Sequence, residues 1–226
     1  MEIYPATAAA RNYDRLVVLY DRLASLWSGG AIRSARLWCA RQTPSKRTVL
    51  VIGPGTGEDA ALCCARGAEV QLIDVSKKML AETVLRCKSS GGAEPVAIHD
   101  DFRTVQFSPP PSDILLPFVL NIFCSDELPQ ILRQVRESIA ADGRILISDF
   151  SPPAKFFATR LLMELWHGIP MAFFYLLTGN AWHGVHDLPG ALEEAGLTIV
   201  QRKKFRIFGI GPRWIEALIV EIRSHR

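Results

Sequence analysis

Short apolar, β-branched runs alternate with amphipathic stretches through most of this 226-residue chain. The run Val49-Leu50-Val51-Ile52 has no polar position, the pattern of a strand buried on both faces. Strands are expected at 48–52, 69–73, 94–98, 113–116 and 144–148, with helices at 57–66, 76–87 and 126–140 between them. Ser76 is placed to cap the second of these helices, and Asp142-Gly143 ends the third. Upstream, Leu16, Leu19, Leu23 and Leu26 give helical spacing over Arg11 to Trp27, stopped by Ser28-Gly29-Gly30. A further helix is expected from Ile32 to Arg41, ending before Pro44. Strand–helix alternation of this kind argues an α/β fold, a doubly wound parallel sheet with helices on both faces. The tail differs: Leu197 to Phe208 and Trp214 to Ile222 read as two strands joined by a Gly-rich turn.

Chemistry enters immediately after the first strand. Gly53-Pro54-Gly55-Thr56-Gly57 places three glycines at alternate positions, then Glu58-Asp59-Ala60-Ala61-Leu62 opens a helix. Without Cβ atoms the turn lets a ligand approach the backbone, and such turns hold nucleotide-like cofactors at the carboxyl end of a first strand. The second strand ends in Asp74, placed to accept hydrogen bonds from ribose hydroxyls. A dinucleotide is disfavoured, because the spacing is GxGxG rather than GxGxxG.

Residues Ala154 to Leu177 form the most apolar stretch, rich in Phe, Leu, Met and Trp. Lys155, Arg160, Glu164 and His167 interrupt it, so it is a poor membrane span. Pro170 is expected to break it into two amphipathic helices, suited to a lid or to a membrane interface. The net charge of +3 demands no polyanionic partner, and no nucleic-acid role is expected. Five cysteines without a C-x-x-C pair fit a reduced, cytoplasmic compartment. Met1 to Ala10 lacks a basic start followed by an apolar run, so no leader is expected.

The ordered set of motifs resembles the class I S-adenosylmethionine (SAM) dependent methyltransferases, over roughly Tyr13 to the C-terminus. The resemblance implies a seven-stranded Rossmann-like sheet with N-terminal helices, a helical lid region over 1–45, and a SAM-binding domain over 46–226. Within that domain, 152–187 would be the apolar, substrate- or membrane-facing insertion. It assigns the cofactor to Val51, Gly53, Gly55, Thr56, Gly57, Asp74, Val75, Asp101, Phe102 and Pro117. Asp101 would face the adenine amino group, with Phe102 packing beside the ring. The layout is most similar to the quinone-modifying enzymes, through Tyr13-Asp14, Tyr20-Asp21 and the segment Leu188-Pro189-Gly190-Ala191-Leu192-Glu193-Glu194-Ala195-Gly196. A ubiquinone-like lipophilic substrate and a peripheral inner-membrane surface are the partners this implies.

Position 51 departs from the pattern. Methyltransferases usually carry Asp or Glu there, against the α-amino group of SAM; here it is Val51. Either the site has drifted and Glu58, a carbonyl or water covers the ammonium, or the amine is meant to react as the neutral base. The second possibility matches the rhodoquinone-forming enzymes, which resemble methyltransferases but transfer the amino group of SAM to ubiquinone. In that family manganese is implicated, and no compact ligand motif for it stands in this chain. A conventional methyltransferase and a non-catalytic SAM-binding protein remain the alternatives.

Candidates for contacting substrate are Asn121 at the end of the fourth strand, Tyr13 in the N-terminal helix, and His183 and His186 before the Leu-Pro segment. Packing accounts equally well for Tyr13, and the plainer reading of the two histidines is that they cap the next helix or face water. His99-Asp100-Asp101 could supply metal ligands, but a solvated loop with Asp101 on adenine is the plainer reading. Arg202, Lys203, Lys204 and Arg206 could face lipid headgroups or water.

Overall fold

Val49, Leu50, Val51 and Ile52 are each at most 2 % exposed, so strand β1 (Thr48–Ile52) is covered on both faces and runs through the middle of the sheet. The computed structural model describes residues 25–152, 156–178 and 184–223. In chain order it has α1 (Ala31–Gln42), β1, α2 (Glu58–Ala65), β2 (Glu69–Asp74), α3 (Lys77–Ser89), β3 (Val96–His99) and β4 (Asp113–Pro117). These are followed by α4 (Leu128–Ser138), β5 (Arg144–Phe150), α5 (Phe157–Thr178), α6 (Leu188–Glu194), β6 (Leu197–Phe205) and β7 (Ile215–Ile222). The seven strands lie in the order β3-β2-β1-β4-β5-β7-β6. The first five are mutually parallel, and β7 inserts antiparallel between β5 and β6. The sheet is therefore the expected doubly wound one with an antiparallel end.

Alternate residues of each strand feed two apolar layers. Val49, Val51 and Leu115 face α1, α2 and α3, together with Met163 of α5. Leu50, Ile52, Ile114 and Ile147 face α4 and α6 through Leu132, Val135, Leu188 and Leu192. At the amino ends of the strands, buried Asp113 is paired with both Arg47 and Arg144 (3.1 and 2.8 Å). That staple leaves the opposite, carboxyl ends of β1, β2, β4 and β5 for a ligand, as open α/β sheets do.

The apolar insertion departs from expectation. Residues 157–178 form one continuous helix rather than two. Proline lacks an N–H, so the Trp166 carbonyl forgoes its bond to position 170. Packing compensates: the Trp166 ring stacks on Trp27 at 5.1 Å and lies 5.4 Å from Trp214, while Met163 and His167 are buried. Ser76 caps α3 as expected, accepting from the Met79 N–H at 3.1 Å. Of the 1–45 region, α1 is built into the helical layer, with Ala35 and Ala40 fully buried. The lid expected around Tyr13 and Tyr20 lies outside the described residues.

Candidate active site at the carboxyl ends of the strands

The glycine turn takes the shape its sequence requires. Gly53, Gly55 and Gly57 have φ of 62°, 58° and 75°, a left-handed region that side chains disfavour. A Cβ on Gly53 would fall 2.9 Å from Val119, and one on Gly57 would fall 2.3 Å from Thr83. The Thr83 hydroxyl donates to the Gly55 carbonyl at 2.9 Å, tying the turn to α3. Gly53 N–H donates to the Ile73 carbonyl at 2.9 Å, so the turn lies directly beside Asp74. Behind it, Arg36 of α1 donates to both oxygens of Asp59 (3.1 and 2.9 Å) and to the Pro54 carbonyl (2.8 Å). Both members of that pair are buried. The turn, the start of α2 and Asp74 thus line one cradle at the carboxyl ends of β1 and β2.

Val51 is fully buried among Ala60, Leu72 and Leu115. The two carboxylates of the first turn of α2 are both held by arginines of α1, Glu58 by Arg33 and Asp59 by Arg36. Glu58 as a substitute for the missing acid therefore already has a cationic partner. Asp74 Oδ1 accepts from Ser76 N–H at 2.8 Å, and the Val75 carbonyl meets His99 Nε2 at 3.0 Å. Thr56 is buried in the turn.

At the expected adenine end, Asp101 and Phe102 are both engaged by the protein itself. Asp101 is clamped by Arg103, whose Nε lies 3.0 Å from each carboxylate oxygen. Burial pushes this carboxyl up, but the bonds and charge of Arg103 outweigh it and hold the group below its ordinary value. Phe102 is only 8 % exposed, sunk into the core at 6.3 Å from Phe123. It offers little ring surface to a ligand, because the turn after β3 directs it inward. Asp100 accepts from the Asp101 N–H and the Thr104 hydroxyl. No group of three or more His, Cys, Asp or Glu suited to a metal occurs among the described residues. A ligand set for the manganese that the sequence resemblance raised is therefore not found among the described residues.

The basic run on β6 is also committed. Arg202 and Lys204 flank buried Glu216 at 3.8 and 3.9 Å. Lys203 lies over the Trp38 and Phe205 rings, and Arg206 donates to the Gly211 carbonyl at 3.0 Å.

Past β4 the chain turns sharply. Phe118 has φ 57°, unusual for a bulky residue and of the kind found at functional sites. It is held by its N–H to the Ser148 carbonyl (2.8 Å) and by an edge contact with Phe150 at 5.6 Å. Pro117 is the last residue of β4, and Asn121 comes next in a short 3₁₀ turn. Here a small cavity opens, lined by Leu120, Asn121, Asp149, Phe150, His167, His186 and Leu188. Asn121 and His186 thus come together in one cavity lining. His183 lies outside the described residues.

Sequence reading missed Asp149 and His167. The signal was present: Asp149 is an ionisable residue at the end of the apolar run Ile145-Leu146-Ile147. Burial raises its pKa to about 7, with a further push from Glu216; the Phe150 N–H and Asn121 pull the other way. His167 sits edge-on to Phe150 at 4.7 Å. His186 Nδ1 is 2.9 Å from the Ser125 hydroxyl.

Comparison with known proteins agrees with this geometry. Residues 49–143 match the family described as "Methyltransferase domain". Among solved structures, the chain superposes on a Burkholderia thailandensis 1,6-didemethyltoxoflavin-N1-methyltransferase bound to S-adenosylhomocysteine. The TM-score is 0.67 at 15 % identity, covering 99 % of this chain and 93 % of that one. It also superposes on the N-methyltransferase NodS of Bradyrhizobium japonicum, with TM-score 0.67 and 12 % identity over 96 % and 99 % of the two chains. The fold is thus the one these methyltransferases share, and the family match spans the glycine turn. In sequence, the chain is 28 % identical over 202 residues to the demethylmenaquinone methyltransferase of Tropheryma whipplei, covering 83 % of this chain and 79 % of that protein.

Proposed function

We propose that this protein methylates a lipophilic, quinone-derived acceptor in its reduced, hydroxylated form. The observation that carries this is the setting one strand over from the glycine turn, where Leu120, Phe150 and Leu188 with Asn121, Asp149 and His186 line a cavity with room for about one water. Such a mixture of groups would meet the hydroxyl-bearing edge of a greasy ring rather than enclose it. The similarity to a demethylmenaquinone methyltransferase points the same way. Bound SAM supplies an electrophilic methyl group. The turn would hold the cofactor through its backbone, and Asp74 would orient the ribose. The acceptor must bring an electron pair, which an oxidised quinone ring does not offer and its quinol does. Replacing Asp74 by Ala is expected to weaken S-adenosylhomocysteine binding about 10- to 150-fold, the equivalent of a charge-assisted hydrogen bond. Calorimetry on both proteins measures it, and equal affinity would remove Asp74 from the site.

A second reading, transfer of the SAM amino group to ubiquinone, is favoured by one feature. Val51 lies in the core and the neighbouring acids Glu58 and Asp59 are already paired with arginines. A cationic ammonium gains little there, and a neutral amine is the nucleophile.

We place the acceptor's source at a bilayer surface. The outer face of α5 exposes Phe157, Leu161, Leu162, Leu165 and Ile169, while His167 on its inner face lines the cavity. A tailed acceptor could pass along one helix from lipid to site. Among the described residues no helix is long and apolar enough to cross a membrane. Co-sedimentation with phosphatidylglycerol-containing vesicles is expected for the wild type and largely lost in Leu161→Ser/Leu165→Ser. Equal recovery in the supernatant for both would remove the lipid surface from this account.

A further inference from the structure

Among the described residues that line the cavity, Asp149 is the one carboxylate. It is 4 % exposed. Its Oδ1 accepts from the Phe150 N–H at 2.7 Å, and its Oδ2 is buried with no hydrogen-bond partner among the described residues. The Asn121 side chain bonds the same carboxyl group. The paired acid Asp113, at the other end of the same sheet, has two arginines; Asp149 has none. Its surroundings are Leu120, Phe150 and Leu188, with Asn121, His167 and His186 around the same space.

Resting on the methyl-transfer reading, we propose that Asp149 is the general base of this site, taking the proton of the acceptor's hydroxyl onto Oδ2. The O–H bond breaks and its electron pair stays on the acceptor as a phenolate. That pair, on oxygen or on the conjugated ring carbon, forms the new bond to the methyl group. The C–S pair returns to sulfur, leaving a neutral thioether. The proton leaves Asp149 for solvent after the product departs; in ring methylation the ring hydrogen leaves to solvent as a proton and the carbonyl oxygen takes a proton back, which restores the aromatic quinol. Asn121, beside the carboxylate, and His186, held by Ser125, position the acceptor's oxygen.

The groups facing Asp149 set its protonation. Glu216 of β7 lies directly opposite in the strand register and repels the charged form; Arg202 and Lys204 of β6 partly offset Glu216. His167 on α5 and His186 ahead of α6 complete the ring. A carboxylate in this setting is poised near neutrality, where a general base works best.

The test uses full-length protein, SAM and a panel of reduced, short-tailed prenyl-naphthoquinols and prenyl-benzoquinols. Asp149→Asn is expected to lower kcat by about 100-fold or more, with S-adenosylhomocysteine affinity and acceptor KM within about three-fold. The ascending limb of the kcat–pH profile near neutrality should vanish, and Asp149→Glu should restore at least part of kcat. A kcat for Asp149→Asn within about three-fold of wild type, with the same pH profile, would overturn the assignment. Should the wild type methylate none of these quinols, the substrate reading fails, and carboxyl titration decides the base separately. In ¹³C-aspartate spectra of the S-adenosylhomocysteine complex, the resonance missing from Asp149→Asn is expected to titrate at about pH 6–8. Titration below about pH 5 would overturn the base assignment.

Discussion

An Asp59→Ala variant is expected to lose roughly 3–5 kcal/mol of stability, the usual result of stripping one partner from a buried ion pair. Arg36 is 8 % exposed and Asp59 1 %, so the guanidinium cannot turn to water when its carboxylate is removed. The consequence reaches the site, because the same guanidinium holds the Pro54 carbonyl at 2.8 Å, between the first two glycines of the turn. Loss of S-adenosylhomocysteine affinity by about ten-fold or more should therefore accompany the loss of stability. Replacing both residues, Arg36→Met with Asp59→Leu, is expected to recover most of the stability but not the affinity, since the turn still lacks its prop. Urea unfolding and calorimetry on the three variants separate these effects. A single variant within about 1 kcal/mol of wild type would mean that the pair is not closed in solution.

Asp149→Asn, by contrast, is expected to stabilise the protein above neutral pH. The folded-state pKa of Asp149 is raised from 3.8 to about 7. The native state therefore holds a proton that the unfolded chain has released, and stability falls as pH rises through the interval between those values. Asparagine carries no such penalty. At pH 4 the two proteins should melt alike; at about pH 8 the variant should be the more stable by roughly 2–4 kcal/mol. Thermal melts at the two pH values measure it. Such a gain, together with the loss of kcat, is what a group retained for chemistry rather than for folding shows. A variant less stable at both pH values would assign Asp149 a structural role.

The sheet and the cofactor turn were legible because local rules decide them. Val49 to Ile52 could only be a central strand, and three alternate glycines before Glu58 could only be a left-handed turn ahead of a helix. The continuous α5 was not legible, since Pro170 obeys a local rule that the packing of Trp166 on Trp27 and Trp214 overrides. The inward packing of Phe102 on Phe123 was not legible either, since adjacency to Asp101 in sequence does not fix which way a turn points a ring. Asp149 and His167 lie 18 residues apart and His186 another 19 along the chain. Only the closing of α5 over β5 brings them to one cavity, and no spacing rule anticipates that. The pairing of Glu58 and Asp59 with arginines of α1 was hidden likewise.

The most direct measurement gives purified protein SAM labelled with deuterium in the methyl group and ¹⁵N in the amine, with short-tailed prenyl-naphthoquinol and, in parallel, short-tailed ubiquinone. Mass spectrometry then locates the label. A trideuteromethyl group on the naphthoquinol, with S-adenosylhomocysteine formed in equal amount, is the expected result. Label from ¹⁵N on the ubiquinone ring, with the naphthoquinol unchanged, would contradict methyl transfer and make Val51 the decisive residue of the site.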